Sequence, residues 1–128
     1  MGKDYTVWKI FGGYLLILFF LALCGMKTAT AQTYDKCGED ICVVEFNASW
    51  NEKNNVDWLH KLTDVGTKRI SIDKGSWQKD FSIVAPPTII IFVNGKEEKR
   101  YQANIMMEME ATKEEVQEKI DEIIMEEF

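Results

Sequence analysis

Cys37 and Cys42 bracket the stretch Cys37-Gly-Glu-Asp-Ile-Cys42 and are the only cysteines after residue 31. Two thiols so placed could close a disulfide or work as a dithiol pair. A bridge needs Cα atoms about 4.4–6.8 Å apart, whereas five extended steps span about 16–18 Å. Gly38 and Asp40 offer the turn that would bring the pair together. Neither cysteine falls at the start of an expected helix, so a bridge here would be a structural staple on a small loop. The rival reading makes Cys42 a small buried hydrophobe at the head of a strand. Met106-Met107-Glu108-Met109 gathers thioethers of the kind that suit Cu(I). No Cys or His adjoins them, and packing or a partner contact is the better reading. His60, the one histidine, reads as an exposed or packing residue. Asn47-Ala48-Ser49 has the form of a glycosylation acceptor and reads as a chance match. No phosphate loop, Ser-His-Asp set or zinc spacing is present, and no cofactor is implied.

These groups need a scaffold, and local patterns supply one. Ile41–Phe46 is a short apolar run rich in β-branched residues, as a buried central strand should be. From Asn51 to Val65, Val56, Leu59 and Leu62 suggest a helix, with Gly66 as its C′ stop. Arg69–Asp73 places Ile70 and Ile72 on one face of a second strand. Ser76 can cap a helix carrying Trp77, Phe81 and Val84, which Pro86-Pro87 ends. Thr88–Val93 is the strongest strand signal. Asn94-Gly95 is a type I′ hairpin signal, and Lys96–Gln102 returns as a charged edge strand. Thr112-x-x-Glu115 is a capping box that opens a last helix with the stripe Val116, Ile120, Ile123 and Ile124. The order is β-α-β-α-β-β-α. Strands joined through helices are expected to be parallel, and the hairpin adds an antiparallel edge.

The chain has 128 residues, enough for one domain. A net charge of −6 argues against nucleic acid as the main partner, because phosphate binding needs a basic stripe. The acidity is concentrated in residues 108–128, which hold nine acids and two bases, and it reads as a solvated helix face. Residues 10–26 carry no charge and follow Lys3 and Lys9; Ala29-Thr30-Ala31 then forms a small-x-small site. Residues 1–31 therefore read as a signal peptide cleaved after Ala31, with an uncleaved membrane anchor as the alternative. Cys24 as a lipid attachment site is a weaker option, since Leu23 before it is bulky. The rest of the chain is expected to be exported, touching a membrane only through an uncleaved N-terminal segment.

Val43-Val44-Glu45-Phe46-Asn47-Ala48-Ser49-Trp50 resembles the approach to the active site in the thioredoxin and protein disulfide isomerase family. Pro87-Thr88, an apolar strand and Asn94-Gly95 look like that family's cis-proline loop and terminal hairpin. The resemblance covers about residues 41–128, with 32–40 as an N-terminal extension and nothing matching the family's first strand and helix. It implies an α/β, minimal thioredoxin-like fold, one mixed sheet sandwiched by helices. In the family a Cys-x-x-Cys follows the tryptophan; here Trp50 is followed by Asn51-Glu52-Lys53-Asn54. Disulfide exchange needs a thiolate, which the helix N-terminus favours, and a second thiol to resolve the mixed disulfide. Asn51 and Asn54 offer only carboxamides, and Asn51 is expected to cap the helix instead. Glu45 matches the family's buried acid; it is either a buried carboxyl with a raised pKa or one turned sideways into water. Pro87 matches the cis-proline. The residue before it pairs with substrate backbone in the family, and here it is Pro86, which has no N–H to offer.

These residues imply an exported, redox-inactive binding or assembly module with a protein partner. Its contact surface is expected at Trp50, Asn51, Glu52, Pro86, Pro87, Met106, Met107 and Met109. The alternatives are a thiol-disulfide oxidoreductase using Cys37 and Cys42, and a Cu(I)-binding Met cluster.

Overall fold

The computed structural model describes residues 32–128. The expected leader or anchor at residues 1–31, Cys24 included, lies outside them. Four strands form one sheet in the order β2-β1-β3-β4. They are β1 (Ile41–Asn47), β2 (Gly66–Ser71), β3 (Thr88–Val93) and β4 (Lys96–Gln102). β1 and β3 are central and buried at every position, which is why both read as unbroken apolar runs. β1 pairs in parallel with β2, whereas β1–β3 and β3–β4 are antiparallel.

The antiparallel β3 corrects the expectation of parallel strands joined through helices. Between β2 and β3 the α-helix α1 (Trp77–Asp80) has four residues. It rises only about 6 Å, against about 20 Å for a six-residue strand. The chain is not carried back to the start of the sheet. β3 instead begins where β1 finishes, with Thr88 opposite Phe46.

Alternating side chains build two cores. On one face Ile41, Val43, Ile89, Ile91 and Val93 pack against Val56, Leu59 and Leu62 and against α2 (Lys113–Glu127). α2 docks through Val116, Ile120 and Ile123, with Ile124 partly buried, as its stripe predicts. Its start is also as expected: Thr112 Oγ1 accepts from the Glu115 N–H at 3.2 Å. On the other face Cys42, Val44, Phe46, Ile90 and Phe92 meet Phe81, Ile83, Ile72 and, from the N-terminal extension, Tyr34. From residues 32–40, Tyr34 is thus the buried residue that joins this core.

The expected helix across Asn51–Val65 is two 3-10 segments, Ser49–Asn54 and Leu59–Lys61. Gly66 is the first residue of β2 and not a helix stop. The expected helix from Ser76 to Val84 is also shorter, reduced to α1. Ser82 takes φ 52 just after Phe81, which turns Ile83 into the core and leaves Val84 77% exposed. Ser76 makes no capping bond; its Oγ donates to the Asp80 carboxylate at 2.7 Å. Asn94 (φ 51) and Gly95 (φ 84) turn the hairpin in the left-handed region that type I′ requires.

Candidate functional site

The last residue of β1 begins a knot of carboxamides. Asn47 is 4% exposed, and its Oδ1 accepts from the Ala48 N–H at 2.9 Å. Its Nδ2 donates to the Asn51 carbonyl at 3.0 Å and to Asn55 Oδ1 at 2.6 Å. Those bonds, together with burial, leave no free amide for a glycan. Asn51, also 4% exposed, donates from Nδ2 to Asn47 Oδ1 (3.1 Å), the Met107 carbonyl (3.1 Å) and, more weakly, the Pro86 carbonyl (3.4 Å). Asn54 Nδ2 completes the set by donating to Asn51 Oδ1 at 2.7 Å.

Asn51 therefore does not cap a helix. The N-cap of Ser49–Asn54 is Ala48, with no side-chain bond, and Asn51 lies inside the segment at φ −115, ψ 19. A cap would accept from backbone N–H groups. Asn51 instead turns inward and donates to carbonyls of two other loops. It ties the end of β1 to the Pro86-Pro87 turn and to the loop after β4. The Pro86-Pro87 bond is cis. Pro86 lacks an N–H, and its carbonyl already has the Asn51 amide as a donor.

Glu45 lies fully buried beneath this knot and does not point into water. Its Oε1 accepts from Arg69 Nε at 2.6 Å, and its Oε2 from the Val56 N–H at 2.9 Å. The same guanidinium donates through Nη2 to the Val56 carbonyl at 2.5 Å. Glu45 thus has a countercharge and two donors, and it pins the irregular chain after Asn55 to the sheet. Arg69, a surface residue by type, was not picked out in the sequence; only its position opposite Glu45 in the β1–β2 register identifies it.

Above the knot runs an open groove of about 950 Å³. Trp50, 65% exposed, forms one wall, with Pro86, Met107, Val84 and Ile72 completing its apolar lining and Asp73 and Lys79 at its edge. Of the expected contact residues, Trp50, Pro86 and Met107 meet here. Asn51 lies beneath them, buried. Pro86 and Pro87 are both buried, and of the two only Pro86 reaches the groove lining. Glu52 lines a smaller neighbouring pocket with Arg69, Ser71 and Lys74. The Met run is dispersed: Met106 is exposed, Met107 lines the groove at φ 61, and Met109 packs against the α2 side of the sheet. Val84 and Ile72 were missed because their place in the groove depends on the turn at Ser82 and on where β2 ends. His60 is exposed, with Nδ1 3.4 Å from Thr67 Oγ1.

Cys37 and Cys42 are joined by a disulfide with Cα atoms 6.0 Å apart. Gly38 makes the turn at φ 78. The bridge sits at the opposite end of β1 from the amide knot. Cys42 is 2% exposed, and Cys37 is half-buried.

Family models and the sequences of curated proteins give no match to this chain. Solved structures do. A thioredoxin mutant from Halobacterium salinarum aligns over 67% of this chain and 76% of its own, with a TM-score of 0.54 and 16% identity. The thioredoxin of Schistosoma mansoni aligns over 68% and 80%, with a TM-score of 0.52 and 20% identity. Thioredoxin-2 of the malaria parasite, described as a component of its protein secretion machinery, aligns over 64% and 82%, with a TM-score of 0.50 and 21% identity. At these identities the likeness is one of fold. The chain has a thioredoxin-like α/β fold with one mixed four-stranded sheet.

Proposed function

We propose that this thioredoxin-like domain is a binding or assembly module of an exported protein, without dithiol chemistry beside Trp50. One observation carries the reading. Asn51 and Asn54 follow the exposed tryptophan, and the Asn51 amide is bonded on every side to groups of its own fold. Such a centre holds three loops in place and offers neither nucleophile nor leaving group. What remains open to a partner is the groove wall of Trp50, Met107 and Val84, over the buried Pro86. Aromatic and thioether side chains beside a fixed proline are the composition of a protein contact. The Cys37–Cys42 bridge supports export, since such bonds persist in oxidising compartments.

Insulin reduction by dithiothreitol tests the chemistry. The full chain should not accelerate it. Asn51→Cys with Asn54→Cys should gain weak activity, and adding Pro86→Ile should raise it about threefold to tenfold by restoring one backbone donor. The bridge itself favours a second reading, a thiol-disulfide oxidoreductase working through Cys37 and Cys42. Wild-type activity that disappears in Cys37→Ser would establish that reading and overturn the first.

A further inference from the structure

The residues before β1 lie on the sheet face that carries only the four-residue α1. Tyr34 is the one buried residue of the stretch 32–40. Its ring lies 5.4 Å from Phe92, 6.2 Å from Trp77 and 6.4 Å from Phe81, centroid to centroid. Two backbone bonds hold the stretch to the Asn94-Gly95 hairpin: Tyr34 N–H to the Gly95 carbonyl, and Asn94 N–H to the Asp40 carbonyl, both 2.7 Å. Lys36 Nζ sits 5.3 Å from the centre of the Trp77 ring. The remaining tie is the disulfide. Its seat is shaped for it, because a Cβ on Gly66 would fall 2.5 Å from Cys37 Sγ. The sheet beneath is held by its own strand pairing and does not need this stretch for its register.

We infer that residues 33–40 form a strap latched by the Cys37–Cys42 bond, which an external dithiol opens to uncover the aromatic face while the sheet stays folded. Cys37 is the point of attack, being half-buried where Cys42 is closed off. A thiolate of the dithiol bonds to Cys37 Sγ, and the Sγ–Sγ bond breaks. Cys42 leaves with the electron pair and takes a proton. The second thiol of the reductant, as thiolate, then attacks the reductant's own sulfur in the mixed disulfide. Cys37 is released and protonated, and the reductant ends as a disulfide, having given two electrons. Once cut, the strap keeps one buried ring and two hydrogen bonds, which places it among the least stable parts of a fold. Losing a loop closure this short raises the open population by about tenfold to fortyfold.

The test uses the full chain, oxidised and after dithiothreitol. Trypsin cleavage after Lys36 is followed by mass spectrometry, and amide exchange is followed at Tyr34, Asn94, Val44 and Ile90. Reduction should free both thiols and speed cleavage at Lys36 at least about tenfold. Exchange at Tyr34 and Asn94 should rise by a similar factor, with Val44 and Ile90 unchanged. Cys37→Ser with Cys42→Ala should behave like the reduced chain without any reductant. Equal cleavage in both states would overturn the latch. So would loss of protection at Val44 and Ile90 together with Tyr34, since the bridge would then be holding the whole fold. A bond that resists dithiothreitol in the folded chain would also overturn it.

Discussion

Asn51→Asp is the substitution that asks most of the amide knot. The two side chains are nearly the same shape, but a carboxylate can only accept. In the native protein Asn51 Nδ2 faces three oxygens: Asn47 Oδ1 and the Met107 carbonyl at 3.1 Å, and the Pro86 carbonyl at 3.4 Å. Removing the amide altogether, as in Asn51→Ala, loses three well-formed bonds, one of them accepted from Asn54 at 2.7 Å, and one weak one. At about 0.5–1.5 kcal/mol each, less what water regains, that comes to about 2–4 kcal/mol. The Met107 carbonyl can turn to water in compensation, and Asn47 Oδ1 keeps the Ala48 N–H. Asn51→Asp loses only the three donated bonds but adds a buried negative charge against three oxygens. Only the Asn54 amide remains as a donor. The cost at neutral pH should reach about 4–5 kcal/mol. The introduced carboxyl is favoured in its protonated form when folded, so its folded pKa is raised above the ordinary value of about 3.9. Its stabilising contribution is present below the unfolded pKa and is lost as pH rises through the folded one. Urea unfolding at about pH 4 and about pH 7 reads both effects. The Asp variant should be clearly less stable than the Ala variant at neutral pH, and the gap should narrow in acid. Equal costs for the two variants at neutral pH, or a gap indifferent to pH, would refute the view of Asn51 as a donor to the end of β1 and to two loops.

Ile120→Ala, at a fully buried position of α2, should cost about 2–5 kcal/mol in chemical denaturation; a cost under about 0.5 kcal/mol would mean that α2 does not pack on the sheet. The Tyr34 phenol is held above its usual range by burial first and by the Asp35 charge second, so its contribution to stability is complete below pH about 10 and is lost as pH rises through the folded value; melting curves should fall off in alkali, and Tyr34→Phe should blunt that decline.

Much of the sheet was legible because its signals are local. Thr88–Val93, Asn94-Gly95 and Lys96–Gln102 lie where the pattern puts them, to the residue. The Thr112 cap and the α2 stripe rest on contacts one turn apart and were equally clear. The segment after Trp50 misled for a reason visible in its numbers. Val56, Leu59 and Leu62 are spaced by threes alone, which suits a 3-10 turn as well as an α-helix. An α stripe mixes threes and fours. The direction of β3 was hidden because a strand buried on both faces shows the same run whichever way it points. The carboxamide knot was hidden for a different reason. Asparagine near a helix start reads as a cap, and the partners that turn it inward, Pro86 and Met107, lie 35 and 56 residues away in the chain. For the disulfide, the turn at Gly38 was visible as a possibility, while the closeness of the two Cα atoms depends on β1 and the strap together.

The hairpin that receives the strap has a consequence for the order of assembly. Tyr34 and Asp40 bond to Gly95 and Asn94, residues made more than fifty positions later. During synthesis, the stretch 33–40 emerges before its docking site exists. β1 likewise gains its antiparallel neighbour only when β3 has been made. The first-made part of the described domain therefore cannot settle until the hairpin has been made. Through that interval Cys37 and Cys42 are held near one another only by the short chain between them, open to any thiol or disulfide they meet. The pairing seen in the finished fold is the one that survives once the hairpin closes and Tyr34 is drawn in.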